Sequence, residues 1–469
     1  MTKPDNNPRS LRARLRSAAR SSEAFLWDIG RKAALSGLIT GTYLRGVRDA
    51  LSGRSVLIAT KGQLATALAL IELDGVVRRF VICPPDVPAA HLPSIIATAE
   101  IDGIVSDRAI PGLGSLVSGP LIEPSLDPEP SAREPDDRLA TEWVLLTSGT
   151  TGTPKLVVHS LKGLTGAFAG RAQPVAGVVW ATFYDIRRYG GLQIFLRAVT
   201  GPTSLVLSDP EESPSDHLNR LAQCGVTHIS GTPTHWRRAI MNPAAKVFQP
   251  QYVRLSGEIA DQAILDGLKA LWPHAKVGHA YASTEAGVGF EVVDGREGFS
   301  ASLLDTAHGE LQMKIEDGSL HIRSDRVATR YLGEAAPALA SADGFVDTGD
   351  MIERIADRCY FRGRRGGIIN VGGSKVHPEE VEAVINRHPK VRMSLVSAQK
   401  SPFTGAIVVA KVVLHASAAG EEAPAVAQTE REIRQLCQQH LARHKIPALM
   451  RFVPSLHVTD AGKLARGHA

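Results

Sequence analysis

The sequence predicts an α/β protein: a large N-terminal multi-subdomain body of βαβ sheets with a small β-barrel-like part, then a small C-terminal α+β unit. Three observations predict it. Between Ser55 and Asp107, short β-branched runs alternate with helical stretches, which is the pattern of parallel βαβ construction. From Gly309 the texture changes to short hairpin-like pieces, GELQMKI, GSLHIRS and RYLGE. Beyond a glycine-dense stretch, Arg362 to Lys375, the remaining residues read as a second, smaller α/β unit, so that stretch is the natural linker.

Taken in order, the chain opens on a basic segment, Arg9, Arg12, Arg14, Arg16 and Arg20 opposed by Asp5. Such a helix can touch nucleic acid or an anionic membrane, but the expected reading is a solvated or frayed terminal helix. SVLIAT, RFVICPP and IDGIVSD are strand candidates, and GQLATALALIELDG between the first two is expected to be an amphipathic helix. Pro120 to Asp137 carries five prolines among acids and should be an irregular connection. EWVLLTS, LVVHS, TSLVLS, THIS, YVRLS and AKVGHAY continue the strand series. In the last unit EEVEAVINRH and TEREIRQLCQQHLARH read as helices around the strand AIVVAKVVL.

Composition narrows the class. Of 469 residues, 43% are hydrophobic and 22% charged, with 43 glycines and 28 prolines, which excludes collagen-like, disordered and disulfide-scaffold chains. The most apolar stretch, Val56 to Leu73, is broken by Lys61, Gln63 and Glu72, so no membrane span is expected. The formal charge of +5 is small for the length, and no nucleic-acid partner is expected. Cys83, Cys224, Cys359 and Cys437 stand far apart and read as reduced thiols of a cytoplasmic protein. No apolar secretory segment with a small-residue cleavage site is seen, while composition leaves a transit peptide open.

The sharpest local feature is the run Thr147, Ser148, Gly149, Thr150, Thr151, Gly152, Thr153, Pro154, Lys155. Glycines let a backbone approach a polyphosphate closely, hydroxyls and N–H groups supply donors, and the lysine adds a point charge. It is not a Walker loop, because Pro154 precedes the lysine and Leu156 follows it.

Four further motifs follow in order, and together they resemble the adenylate-forming superfamily of acyl- and aryl-CoA synthetases. Tyr281-Ala-Ser-Thr-Glu285 is similar to its Y-G-x-T-E motif and Asp347-Thr-Gly-Asp350 to its T-G-D motif. Phe361-Arg-Gly-Arg364 with GGSKVHPEEVE resembles the crossover between domains, and Thr459 to Arg466 resembles the terminal T-x-x-G-K-I-x-R. Ser256-Gly-Glu258 and Arg330-Tyr-Leu-Gly333 fall in the expected gaps.

The resemblance implies ATP-dependent activation of a carboxylic acid to an acyl-adenylate, with release of pyrophosphate, then transfer to the thiol of coenzyme A. It implies an AMP-binding domain over residues 1–363 and a mobile lid over 364–469. The Thr147–Lys155 loop would wrap the β- and γ-phosphates. Thr284 would contact the α-phosphate and Glu285 would hold Mg2+. Tyr281 would lie against adenine near Gly257 and Glu258, while Asp350 and Arg364 would bind the ribose. Lys463 would bridge substrate carboxylate and α-phosphate as the principal catalytic residue. Gly366-Gly367 would be the pivot of the lid, or simply a tight turn.

Two alternatives to CoA ligation are a ligase that loads a separate phosphopantetheinyl carrier protein and a nucleotide-binding protein without catalysis. The stretch Trp180 to Gly191 departs from the family's acyl pocket by offering Asp185, Arg187 and Arg188, which can recognise a second anionic group or form a solvated loop. The abbreviated N-terminal material favours a short, branched or aromatic acid. Cys437, His440 and His444 share one helical face, but no fourth ligand lies nearby and no metal site is expected there.

Overall fold

The computed structural model describes residues 10–18, 23–44, 48–108, 110, 112–130, 139–147, 154–168, 177–305, 311–401, 404–415 and 423–466. Two large sheets form the body. In the first, a seven-stranded sheet, parallel strands Ser55–Ile58, Arg79–Ile82, Gly103–Val105 and Leu121–Ile122 are joined by Glu142–Thr147, which turns back antiparallel into Lys155–Ser160. The strands Ser55–Ile58 and Arg79–Ile82 are buried at every residue, as expected of parallel strands covered on both faces. The second sheet, of eight strands, runs parallel through Phe25–Asp28, Ser204–Val206, Val179–Thr182, His228–Gly231, Tyr252–Ser256 and Lys276–Ser283, with antiparallel edges.

Several expectations are corrected. The helix Gln63–Leu73 is not amphipathic: all eleven of its residues are buried, because it lies in the apolar core shared by the two sheets. Its one acid, Glu72, is answered by the Thr42 hydroxyl (2.9 Å) and the Tyr43 N–H. The helix Leu11–Ala18 is neither frayed nor solvated. Leu11 and Leu15, one turn apart, are 0% and 1% exposed, and the buried Arg12 donates to the Gly41 carbonyl at 2.8 Å; Arg9 and Arg20 lie outside the described residues. RYLGE is not part of a hairpin with its neighbours. Arg330–Tyr331 instead joins the edge of the seven-stranded sheet, with Tyr331 opposite Val157.

The β-rich part is a five-stranded antiparallel sheet that includes Val346–Ile355 and Arg358–Arg364. The C-terminal unit has an apolar core of its own, from Ile369 to Leu441, between helices Pro378–Ile385 and Ala423–His440 and a three-stranded sheet. The four cysteines are free, and among the described residues no helix is long and apolar enough to cross a membrane.

Candidate active site

One wall of the site comes from the end of the eight-stranded sheet and the facing β-rich sheet. The strand Lys276–Ser283 breaks register between Ala280 and Ala282, and Tyr281 lies at that irregularity. Its ring stacks on Phe361 at 5.2 Å with 6° between planes, and on Phe290 at 5.8 Å. Its hydroxyl donates to Asp350 Oδ2 at 2.7 Å. Asp350 faces Arg364 across the ladder, and Arg364 Nε donates to Oδ1 at 3.1 Å. Burial, reinforced by the Asp350 charge, holds the Tyr281 phenol well above its ordinary pKa, and the same carboxylate raises Arg364. Both donors therefore stay protonated around one acceptor.

A second group forms where Tyr331 meets the hairpin that brackets the glycine-rich loop. Lys155 pairs with Thr147 at the hairpin mouth, and Lys155 Nζ lies 5.1 Å above the Tyr331 ring. Of the predicted loop, Thr147, Pro154 and Lys155 are described; Ser148, Gly149, Thr150, Thr151, Gly152 and Thr153 lie outside the described residues. The Tyr331 hydroxyl points to Glu285 Oε1 at 3.4 Å, and burial with the Glu285 charge pushes its pKa up to about 12. Glu285 is also within electrostatic range of Arg364, which ties this group to the first wall. Thr284, next to Glu285, is half-buried, with its backbone against the ring of His159.

The third contribution comes from the end of the chain. Residues 457–465 form a tight hairpin: Thr459 N donates to Lys463 O at 2.8 Å, Val458 bridges Leu464, and Ala465 N donates to His457 O at 3.0 Å. Its tip docks on the body. The Thr232 hydroxyl donates to Gly462 O at 2.6 Å, and Glu258 accepts from Leu464 N (3.1 Å) and Thr234 N (3.0 Å) at once. Gly462 has φ +70°, and a Cβ built there would stand 1.8 Å from a carbon of the His235 ring, so conformation and space both require glycine.

Lys463 then passes over Gly257, itself at φ +84°; a Cβ on Gly257 would lie 3.3 Å from Lys463 Cε and 3.7 Å from Nζ. The lysine remains accessible from the cleft mouth but is crowded by protein on its flanks. That loss of hydration lowers its pKa, while Glu258 and Asp350 raise it and Arg364 lowers it further.

Lys155, Glu285, Asp350, Arg364, Gly257, Glu258, Tyr281 and Lys463 thus belong to one connected cleft. Residues 78–332 match the family described as AMP-binding enzyme, and residues 380–463 match the AMP-binding enzyme C-terminal domain. The chain belongs to the AMP-binding enzyme family. Its class is that of the AMP-forming acid–thiol ligases, which activate a carboxylic acid with ATP as an acyl-adenylate and pass the acyl group to the thiol of CoA.

Among curated relatives, this AMP-binding enzyme is 28% identical over 401 residues to the 2-succinylbenzoate–CoA ligase of Salmonella typhimurium, covering 82% of this chain and 81% of that one. It is 26% identical over 352 residues to human mitochondrial acyl-coenzyme A synthetase ACSM5, covering 69% of this chain but only 59% of that relative. Its fold matches the anthranilate CoA ligase AuaEII in complex with anthranoyl-AMP, with a TM-score of 0.78 at 17% identity over 99% of this chain and 97% of that one. It also matches o-succinylbenzoate CoA synthetase from Bacillus subtilis, with a TM-score of 0.72 at 20% identity over 98% and 97% of the two chains.

Some expected groups do not join the site. Arg187 is 2% exposed and fully engaged: it pairs with Asp185 (2.6 to 3.0 Å) and donates to the carbonyls of Thr60 (2.8 Å) and Lys61 (2.9 Å). Arg188 is paired with Asp86 but lies within electrostatic range of Lys463, at the edge of the site. Arg187 is therefore neither solvated nor a free anion receptor. Among the described residues no cluster of three potential metal ligands exists, and Cys437 packs in the core of the C-terminal unit. Gly366 and Gly367 sit in a short 3-10 turn with open space around each and no left-handed φ.

Sequence reasoning missed the anchor of the tail. Arg466 grips Glu382 at 2.7 and 2.9 Å and lies 3.5 Å from Glu379, both on helix Pro378–Ile385. The acids of HPEEVE were visible beside the crossover motif, but nothing local linked them to an arginine 84 residues away.

Proposed function

We propose that the cleft binds one ATP and one carboxylic acid and that the groups above divide the reaction between them. The acid's oxygen attacks the α-phosphorus, pyrophosphate leaves, and the acyl-adenylate remains. The CoA thiol then attacks the acyl carbon, and AMP leaves. Two anions must meet in the first step, so fixed cations and donors aimed at the phosphorus lower its barrier.

Tyr281, flat on Phe361, offers one face to adenine opposite the Gly257–Glu258 backbone. Asp350 already accepts from Tyr281 and Arg364, but a carboxylate has about four acceptor positions and can take ribose hydroxyls too. Arg364 donates to the same sugar, the Thr147–Lys155 loop holds the β- and γ-phosphates, and Thr284 meets the α-phosphate. Glu285 would hold Mg2+. A single protein carboxylate fits that ion, which takes most of its oxygens from phosphates and water and would supply charge neutralisation there. Lys463 bridges the carboxylate and the α-phosphate.

The observation that carries the reading is the docking of the Lys463 hairpin on Thr232 and Glu258, which brings a cation from the chain end into the cleft that holds Asp350 and Arg364. The docked state suits adenylation. We place the division at residues 1–363 and 364–469, with Gly366-Gly367 as the pivot that frees the cleft for the thiol. A cytoplasmic setting agrees with four unpaired cysteines. The test is ATP–pyrophosphate exchange over a panel of carboxylic acids, followed by thioester detection with free CoA and with a phosphopantetheinylated carrier. Acid-dependent exchange with a CoA thioester is expected. Exchange absent with every acid contradicts the reading, and a thioester on the carrier alone moves the acceptor.

A further inference from the structure

Deeper in the body, on the same strand that ends at Gly257, a buried arginine lacks the partners that Arg187 has. Arg254 lies mid-strand in Tyr252–Ser256 and is 6% exposed. Side chains alternate along a strand: Val253 and Leu255 enter one apolar cluster, while Tyr252 packs with the other, which holds Tyr189 and fills the space between the two sheets. Arg254 therefore points into that inter-sheet space. Its Nε has no hydrogen-bond partner in the protein. The Glu291 carboxylate stands 3.9 Å off, beyond hydrogen-bond reach, and already accepts from the Tyr252 hydroxyl.

Polar neighbours share this buried region. Ser230 sits opposite Arg254 on the adjoining strand, 1% exposed, with its hydroxyl beside that of Tyr184. His159, also 1% exposed, lies 5.6 Å from the Tyr189 ring and has the Thr284 backbone against its own ring. Tyr184 and Tyr189 both lie within electrostatic range of the guanidinium.

Buried polar atoms in native proteins are nearly always paired, so an unpaired nitrogen on a buried cation calls for a ligand. The donor set is a guanidinium with phenol and hydroxyl groups beside it, which suits an oxyanion. Its position suits a substrate. Tyr184 donates at 2.7 Å to the carbonyl of Ser256, immediately before the glycine that Lys463 covers. Two residues of strand place Arg254 roughly 7 Å deeper than that point.

We propose that the acyl pocket takes a dicarboxylic acid, one carboxylate going to the adenylation centre and the other to Arg254. This rests on the adenylation reading above and names the substrate class for it. The spacing fits acids whose two carboxylates stand roughly 6–9 Å apart, given that strand rise.

The experiment compares matched pairs, adipate with hexanoate and terephthalate with benzoate, in the full-length enzyme and in Arg254→Met and Arg254→Lys. It reads kcat/KM for pyrophosphate exchange and, independently, calorimetric binding of each acid in the presence of AMP. The wild type should favour the dicarboxylates at least tenfold. Arg254→Met should lower the dicarboxylate values at least tenfold more than the monocarboxylate values, with Arg254→Lys in between. A wild type that favours the monocarboxylates, or an acid preference unchanged in Arg254→Met, overturns the subsite. If no acid supports exchange, the adenylation reading fails separately and calorimetry decides: dicarboxylate binding lost in Arg254→Met supports the subsite, and no such binding overturns it.

Discussion

Among the buried arginines in the body of this enzyme, Arg187 and Arg254 have different surroundings. Arg187 donates to a carboxylate and to two backbone carbonyls, clamping the segment after strand Val179–Thr182 to the turn at Thr60 and Lys61. Arg254, one strand over from Ser230, has an Nε without a hydrogen bond and a carboxylate only at 3.9 Å. A buried charge whose partners are all internal is part of the scaffold. One that is left with an unbonded nitrogen and only a distant carboxylate is a charge that a ligand completes.

The contrast can be broken most sharply by removing each charge in turn. Arg187→Met strands Asp185 and two carbonyls, and breaking a buried pair from one side costs about 3–5 kcal/mol. Chemical denaturation should show a midpoint shift of that size, whereas Arg254→Met, replacing an unsatisfied charge with an apolar chain, should unfold at or above the wild-type midpoint. Equal losses in both would erase the distinction.

The docked hairpin comes next in size. Gly462→Ala adds a methyl where the His235 ring already lies, at a left-handed φ, so the tip cannot seat as it does. Displacement of a catalytic group by about 1 Å can cost about a hundredfold. Pyrophosphate exchange should fall by at least that factor while the fold persists, as read by circular dichroism. Unchanged exchange would mean that the docked tip is not the working position of Lys463.

The smallest effect concerns pH. Burial lowers the His159 pKa to about 4, below the ordinary value near 6.5. Its folded pKa is depressed, so between those values the unfolded chain binds more protons and stability falls as the solution is acidified. The contribution is fully present above pH 6.5 and shrinks by about 1 kcal/mol on reaching pH 5.5. His159→Gln should flatten the dependence of the unfolding midpoint on pH in that window; an unaltered slope would place the effect elsewhere.

The sequence made much of this readable, for specific reasons. Ser55–Ile58 is a short aliphatic run and Tyr252–Ser256 alternates Val253 and Leu255 with polar or aromatic residues, and both patterns are local. The site motifs were readable because each is a short run with fixed internal spacing. What stayed hidden depended on distant partners. Arg187 looked like a free cation because the carbonyls it reaches lie 126 and 127 residues away. Arg254 looked like one polar residue in a strand, since only sheet register brings Ser230 beside it. The terminal helix looked solvated because its arginines dominate the composition, yet Leu11 and Leu15 on one face decide where it lies. Tyr331, set between Lys155 and Glu285, became visible only once its strand joined the seven-stranded sheet.

The account depends on the chain end supplying a cation to the same cleft that Asp350 and Arg364 line. The most direct measurement compares the two half-reactions in Lys463→Ala. Formation of the adenylate from acid and ATP should be abolished, while thioester formation from a supplied acyl-adenylate and CoA should stay close to wild type. Equal loss of both half-reactions, or no loss of the first, would contradict it.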